Sequence, residues 1–239
     1  MKIALIGYGK MGHMIEEIAL ERGHEIVGII DPTLAVSHQP SAISFESEEF
    51  RSADVAIEFS TPATAKDNIL RAWAQGVPVV SGSTGWKVEN LQFTIHNSQT
   101  INKSSCELKE VRGQKRVYLD NKLMLVWSSN FSVGVNIFFE LNKFLAKSIQ
   151  QSAVSYQPSI QEIHHIHKLD APSGTAKTLC EQIHNYNVPI ESIREGEVPG
   201  THEVMWDSEE DTIIITHIAK GRRGFALGAV LAAETINKE

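Results

Sequence analysis

The sequence predicts an α/β protein in two parts, an N-terminal domain built on a parallel sheet and an α+β domain with an open mixed sheet. Three observations carry that expectation. The apolar run Lys2–Ile6 is followed at once by Gly7-Tyr-Gly-Lys-Met-Gly12 and by a helical pattern over Met14–Leu20. Apolar runs of the kind buried in parallel sheets recur over residues 25–30, 54–59, 77–80 and 123–127. Beyond residue 150 strand-like segments dominate, over 153–156, 160–168, 202–207 and 211–219, with one crossing helix after Ser173.

The first element and its turn have the dinucleotide-binding pattern of a Rossmann-type sheet. Gly7 allows the tight turn, Gly9 lets backbone approach a pyrophosphate, and Gly12 lets helix pack on strand, with Tyr8, Lys10 and Met11 completing the loop. The next strand, Glu25–Ile30, ends in Asp31, about twenty residues past the glycines, where an acid bonds the adenosine ribose hydroxyls. An acid followed by Pro32 rather than Arg repels a 2′-phosphate, so NADH is the expected cofactor. NADPH is kept as the alternative because Lys10 offers a cation in the glycine loop.

The strands at 54–59 and 77–80 run into Ser60-Thr-Pro-Ala-Thr64 and Ser81-Gly-Ser-Thr-Gly85. Loops after the C-terminal ends of parallel strands line the ligand crevice, which makes Gly82, Ser83 and Thr84 candidates to border a nicotinamide. Plain strand-to-helix turns fit the same composition. A further strand, Leu123–Trp127, leads through Ser128-Ser-Asn-Phe-Ser132 into an apolar helix over Val135–Leu145, and the first domain is expected to end there.

The second domain carries the densest chemistry, Glu162-Ile-His-His-Ile-His-Lys-Leu-Asp-Ala-Pro-Ser-Gly-Thr175. Strand alternation puts Glu162, His164, Ile166 and Lys168 on one face, with His164 and Lys168 roughly 13 Å apart along a straight strand. Ser173 is the expected N-cap of a helix over 174–183, whose first amides at Gly174 and Thr175 attract carboxylate or phosphate. A proton donor, a cation and an amide nest thus stand together for an anionic substrate. The alternatives are a surface patch of an edge strand, or a metal patch using His165 and His167. No nearby Cys or Asp completes such a ligand set, so no metal is expected.

Composition excludes other classes of function. The 239 residues, 42% hydrophobic and 21% charged, suffice for one large or two modest cores. A net charge of −7 without a basic cluster argues against nucleic acid. Nothing approaches a membrane span or a signal peptide, and two cysteines, Cys106 and Cys180, suit a reducing cytoplasm. The acidic run Asp207–Asp211 reads as a turn between strands.

With both sites in view, the chain resembles the 4-hydroxy-tetrahydrodipicolinate reductase family, formerly dihydrodipicolinate reductases, of diaminopimelate and lysine synthesis. The resemblance rests on the loop from Gly7 to Gly12, Gly82-Ser-Thr-Gly85, Ser129–Asn136 and Glu162–Ala176. It continues through Arg194–His202 and Gly224–Val230. It implies reduction of a cyclic imine dicarboxylate to tetrahydrodipicolinate with loss of water, hydride going from nicotinamide to ring C4. His164 would then be the acid that protonates the enamine, Lys168 would hold a carboxylate, and Gly174 with Thr175 would bind a carboxylate at the helix start. His165 would lie in the substrate pocket, and Ser128, Ser129, Asn130 and Phe131 would join the cofactor side. The family also implies a homotetramer built through the second domain's sheets.

The expected organisation is a cofactor domain over 1–130, rejoined by 224–239, and a substrate and oligomerisation domain over 131–223. The segment over 87–122 departs from the family pattern, being about twenty residues longer, polar and β-branched over Thr94–Cys106, and charged without an apolar stripe over Glu107–Arg116. It is expected to be irregular. The chain also stops soon after Ala233, where relatives continue. Two further readings stand beside the reductase: another two-domain dehydrogenase sharing the N-terminal half, and a cofactor-binding protein whose altered 87–122 segment has abolished turnover.

Overall fold

The computed structural model describes residues 1–32, 42–89, 91, 106–111 and 114–236. It divides into two compact units, Met1–Phe131 with Phe225–Glu239, and Ser132–Gly224. In chain order the first part comprises β1 (Lys2–Ile6), α1 (Lys10–Glu21), β2 (Glu25–Ile30), α2 (Glu48–Arg51), β3 (Val55–Glu58), α3 (Ala65–Ala74), β4 (Val79–Ser81), β5 (Cys106–Val111), β6 (Gln114–Leu119) and β7 (Lys122–Trp127). There follow α4 (Val133–Gln150), β8 (Gln157–His164), α5 (Gly174–Glu181), β9 (Ile190–Arg194), β10 (Thr201–Asp207), β11 (Thr212–Ile218) and α6 (Arg223–Ile236).

The first unit is a seven-stranded sheet of order β2-β1-β3-β4-β7-β6-β5. Its first five strands in that order are parallel, and β6 and β5 continue it antiparallel. The parallel strands are apolar on both faces, as helices on both sides require: Ile3, Leu5 and Val55 face one core, Ala4, Ile6 and Ala56 the other. Helix α1 buries Ile15, Ile18 and Ala19, and α3 buries Ala65, Ile69, Ala72 and Trp73, both at helical spacing. Helix α6 returns to this unit with Ala226, Ala229, Val230 and Ala233 buried among the β1 and α1 side chains.

The second unit is a four-stranded sheet of order β11-β10-β8-β9, antiparallel except for β8 and β9. The parallel pair is joined through α5, the crossover that such a pair needs. One face of β8 and β10 is buried: Pro158, Ile160, Glu162 and His164 lie beside Trp206, Val204 and His202. The apolar members join Val135, Phe138 and Phe139 of α4 and Leu179 of α5 in one core.

The structure corrects several expectations. No strand forms over 153–156, because α4 runs on to Gln150 and a turn follows. The strand expected to reach Lys168 ends at His164, where the chain turns: Glu195 N donates to His164 O at 2.8 Å and Ile166 N to Gly196 O at 3.1 Å. Lys168 therefore lies in the loop after β8, and strand alternation does not place it. Within the segment expected to be irregular, the described residues from Cys106 form β5 and β6, while Thr94–Ser105 lie outside the described residues. Charged side chains suit these outer strands, where one face stays open to water. Asp120 and Asn121, at φ 50° and 66°, make the two-residue turn from β6 to β7.

Candidate active site

In the first unit the loops after β1, β2, β3, β4 and β7 emerge at one end of the sheet because these strands are parallel. Backbone bonds tie them in sequence across that end: Gly7 N to Ile30 O at 2.9 Å, Phe59 N to Ile6 O at 2.9 Å, Gly82 N to Glu58 O at 3.0 Å and Ser128 N to Ser81 O at 3.3 Å. Strand order reverses between β1 and β3, the switch point at which open α/β sheets bind ligands.

The glycine loop fits a dinucleotide. At Gly7, with φ +89°, an added Cβ would stand 2.4 Å from Phe59 O, and at Gly12 it would stand 2.5 Å from Gly7 O. At Gly9 it would meet nothing within 4 Å, so the second glycine clears space beside the start of α1. That helix start has no side-chain cap, which leaves its first-turn amides and positive dipole end for an anion. Asp31 stands against the same loop, one carboxylate oxygen accepting from Tyr8 N at 2.7 Å. The Tyr8 hydroxyl turns back to Glu16, and burial together with that carboxylate pushes it up to about 12. Lys10 is exposed in the first turn of α1 and Met11 packs against the core.

The loop after β4 is fixed from beneath by a residue that the sequence reading passed over. Glu58 is fully buried, and its carboxylate accepts from Ser81 Oγ at 2.5 Å, Ser83 Oγ at 2.8 Å, Ser60 N at 2.9 Å and the Ser60 hydroxyl. Ser83 O accepts from the indole N–H of both Trp86 and Trp127, at 2.8 and 2.9 Å. Gly82 passes so close to the Phe59 ring that a Cβ would stand 2.2 Å from it, while Thr84 is exposed. Ser128 Oγ donates to Asn130 O at 2.8 Å, Ser129 is exposed, and Phe131 is buried beside Phe59 with ring centroids 6.1 Å apart. The signal for Glu58 was a lone acid inside an apolar strand.

In the second unit register builds the site. His202 lies directly opposite Glu162, and Arg194 is the parallel partner of His164. Glu162 is fully buried and divides its carboxylate: one oxygen pairs with His164 Nδ1, the other accepts from Arg194 Nη2 at 2.9 Å and Ser173 N at 3.3 Å. Ser173 caps α5 through Ala176 N at 3.2 Å and bonds His202 Nε2 at 3.0 Å. The His164 and His202 rings meet edge to face with centroids 5.0 Å apart.

The electrostatics follow from burial and these partners. Burial would raise the Glu162 carboxyl, but Arg194 leads the bonds that hold it below the usual range, so it stays an anion. Burial pushes His164 down, with Glu162 opposing and Lys168 and Arg194 adding to the fall. Burial also pushes His202 down to about 4, so that ring is neutral at physiological pH. Lys168 Nζ pairs with Asp170 Oδ1 at 2.7 Å; burial raises that carboxyl, and the lysine more than offsets it.

The structure thus brings Glu162 and His164 together with Arg194, Ser173 and His202, and sets Gly174 and Thr175 at the start of α5. His165 turns away from this cluster toward His167, with ring centroids 5.9 Å apart. Arg194 and His202 carry no sequence signal beyond the family motif, because only strand register brings them to Glu162.

Fold and site define a Rossmann-type dinucleotide-binding protein with an α+β unit that carries a buried carboxylate–imidazole pair. Comparison with known proteins makes this particular. Residues 1–106 match the family model for the dihydrodipicolinate reductase N-terminus, and residues 134–239 that for its C-terminus. The 4-hydroxy-tetrahydrodipicolinate reductase of Christiangramia forsetii is 41% identical over 98% of this chain and 91% of its own length. That of Staphylococcus aureus is 33% identical over 99% of this chain and 95% of its own. The chain therefore belongs to the dihydrodipicolinate reductase family. Its fold matches the dipicolinate-bound dihydrodipicolinate reductase of Paenisporosarcina sp. TG-14 at TM-score 0.70 and 20% identity, over 99% of this chain and 94% of that one. It also resembles aspartate semialdehyde dehydrogenase II of Vibrio cholerae, at TM-score 0.56 and 11% identity over 100% and 98% of the two chains. Among the described residues no helix is long and apolar enough to cross a membrane.

Proposed function

We propose that this chain reduces 4-hydroxy-tetrahydrodipicolinate to tetrahydrodipicolinate, with loss of water, in diaminopimelate and lysine synthesis. The observation that carries the reading is the pairing of a buried His164 with Glu162 beside the Ser173-capped start of α5, inside a chain of this family. The first unit is the cofactor unit: Gly7 to Gly12 and the start of α1 take the pyrophosphate, Asp31 takes the ribose, and Gly82 to Thr84 with Ser128 to Phe131 border the nicotinamide. When bound, the nicotinamide supplies the hydride. The second unit takes the dicarboxylate. Lys168 and the amides of Gly174 and Thr175 hold its carboxylates, His165 borders it, and His164 delivers the proton that completes the reduction.

NADH is the preferred cofactor in this reading, since the Asp31 carboxylate disfavours a 2′-phosphate at the end of β2. The enzyme works in the cytoplasm as a homotetramer joined through the open sheets of the second unit, whose exposed face includes Ile214 and Ile218. The test is His164→Ala. Turnover should fall by roughly 10²–10⁴-fold with NADH affinity unchanged. Near-normal turnover would remove His164 from the chemistry.

A further inference from the structure

We propose that Glu162 is the positioning residue for the His164 proton donor, and that Arg194 makes the same carboxylate the anchor of the loop carrying Lys168. The proposal rests on the reading of His164 as donor. Its observations are geometric. Glu162 is fully buried on the face it shares with His164, two residues away on β8, and bonds Nδ1 of that ring. A carboxylate at Nδ1 keeps the proton there and leaves Nε2 as the atom that exchanges a proton with substrate. The glycine just before β10 keeps a side chain off that edge: at Gly200 an added Cβ would stand 3.0 Å from Nε2.

The second carboxylate oxygen extends the arrangement into the loop after β8. Arg194 Nη2 holds it at 2.9 Å and also donates to Asp170 O at 2.6 Å, while Arg194 Nε donates to Lys168 O at 3.3 Å. Ser173 N, at the start of α5, donates to the same oxygen at 3.3 Å. One carboxylate thus orients the donor ring, ties down the backbone of Lys168 and fixes the helix start that offers Gly174 and Thr175. Among the described residues His165 and His167, next to the donor in sequence, have no buried carboxylate partner; His167 bonds the exposed Glu197 at 3.0 Å.

The charges facing His164 set the sign of the test. Its own strand presents the Glu162 anion, the following loop presents Lys168, β9 presents Arg194, and β10 presents the neutral His202 ring. Removing the anion leaves burial and two cations, all of which disfavour imidazolium. Removing Arg194 takes away one of those cations.

The experiment is a pH titration of the His164 ring by nitrogen NMR in the resting protein, with steady-state kinetics on the same variants. In Glu162→Gln the His164 midpoint should fall by about one pH unit or more. The high-pH limb of kcat should move down with it, and kcat should drop roughly 10–100-fold at unchanged NADH affinity. Glu162→Asp should recover part of both changes. Arg194→Gln should shift the midpoint upward, a sign opposite to Glu162→Gln, which keeps the test decisive if one variant folds poorly. An unmoved midpoint in Glu162→Gln, or kcat losses that follow thermal stability while the limb stays in place, would overturn the proposal. Full turnover in His164→Ala would instead sink the donor reading on which it rests.

Discussion

At the scale of single residues, two buried glutamates, one in each unit, organise their surroundings in different ways. Among the described residues Glu58 has hydroxyl and amide partners, so it serves as a hub that fixes Ser60, Ser81 and Ser83 at the end of the parallel sheet. Glu162 has a guanidinium, an imidazole and an amide, so it sets charge as well as position. In the proposed reading Asp31 decides cofactor choice. Its carboxylate stands at the end of β2 against the glycine loop, where a 2′-phosphate would meet a like charge without a facing arginine at position 32. Binding titrations should therefore rank NADH above NADPH, and Asp31→Ser should narrow the gap by about tenfold or more. Tighter NADPH binding by the unaltered protein would refute the role given to Asp31.

At the scale of elements, α6 closes the first unit by backbone contact. Gly228 approaches Phe131 so closely that an added Cβ would stand 1.7 Å from its carbonyl oxygen. Alanine in a helix gains up to about 1 kcal/mol over glycine, but overpacking against backbone that cannot turn aside costs about 1–3 kcal/mol or more, so the clash wins. Gly228→Ala should lower the melting temperature, and an unchanged or raised value would contradict this packing. The sequence showed Gly224-Phe-Ala-Leu-Gly228 as a motif but not as a helix, because its small residues make a close-packed surface rather than an amphipathic stripe. Helix α3 was legible in principle, since Ala65, Ile69, Ala72 and Trp73 keep helical spacing. The β6–β7 hairpin was marked only by Asp120-Asn121, and the edge strand β5 and its neighbour β6 by nothing stronger than alternation diluted with charge.

At the scale of the whole chain, the parallel strands, the glycine loop and the Ser173 cap could be read directly because each is a local pattern with one physical meaning. The candidate site was half legible. His164, Lys168, Gly174 and Thr175 lie in one motif, whereas Arg194 and His202 reach Glu162 through sheet register, which no local pattern encodes. The end of the strand at His164 was also hidden, since it depends on bonds to Glu195 and Gly196. The chain's last helix is held to its first by Glu234, whose carboxylate takes Arg22 in a fork at 2.6 and 2.9 Å and His24 at 3.0 Å. Arg22 first, against burial and with His24 adding, holds that carboxyl down to about 2. A group depressed on folding stabilises fully above its unfolded value and loses that contribution as pH falls through the folded one. Glu234→Gln should thus lower the melting temperature at pH 7, with the gap to the unaltered protein closing as pH falls toward about 2. A gap that widens in acid would contradict the assignment.

The measurement that tests the central claim most directly is the absorbance of NADH and NADPH over time, with purified protein and substrate generated in place from pyruvate and aspartate semialdehyde by the preceding synthase. The reductase reading predicts substrate-dependent oxidation, faster with NADH at limiting cofactor. A folded protein that binds NADH yet leaves it unoxidised would contradict that reading, and would mark the chain as a cofactor-binding member of its family without turnover.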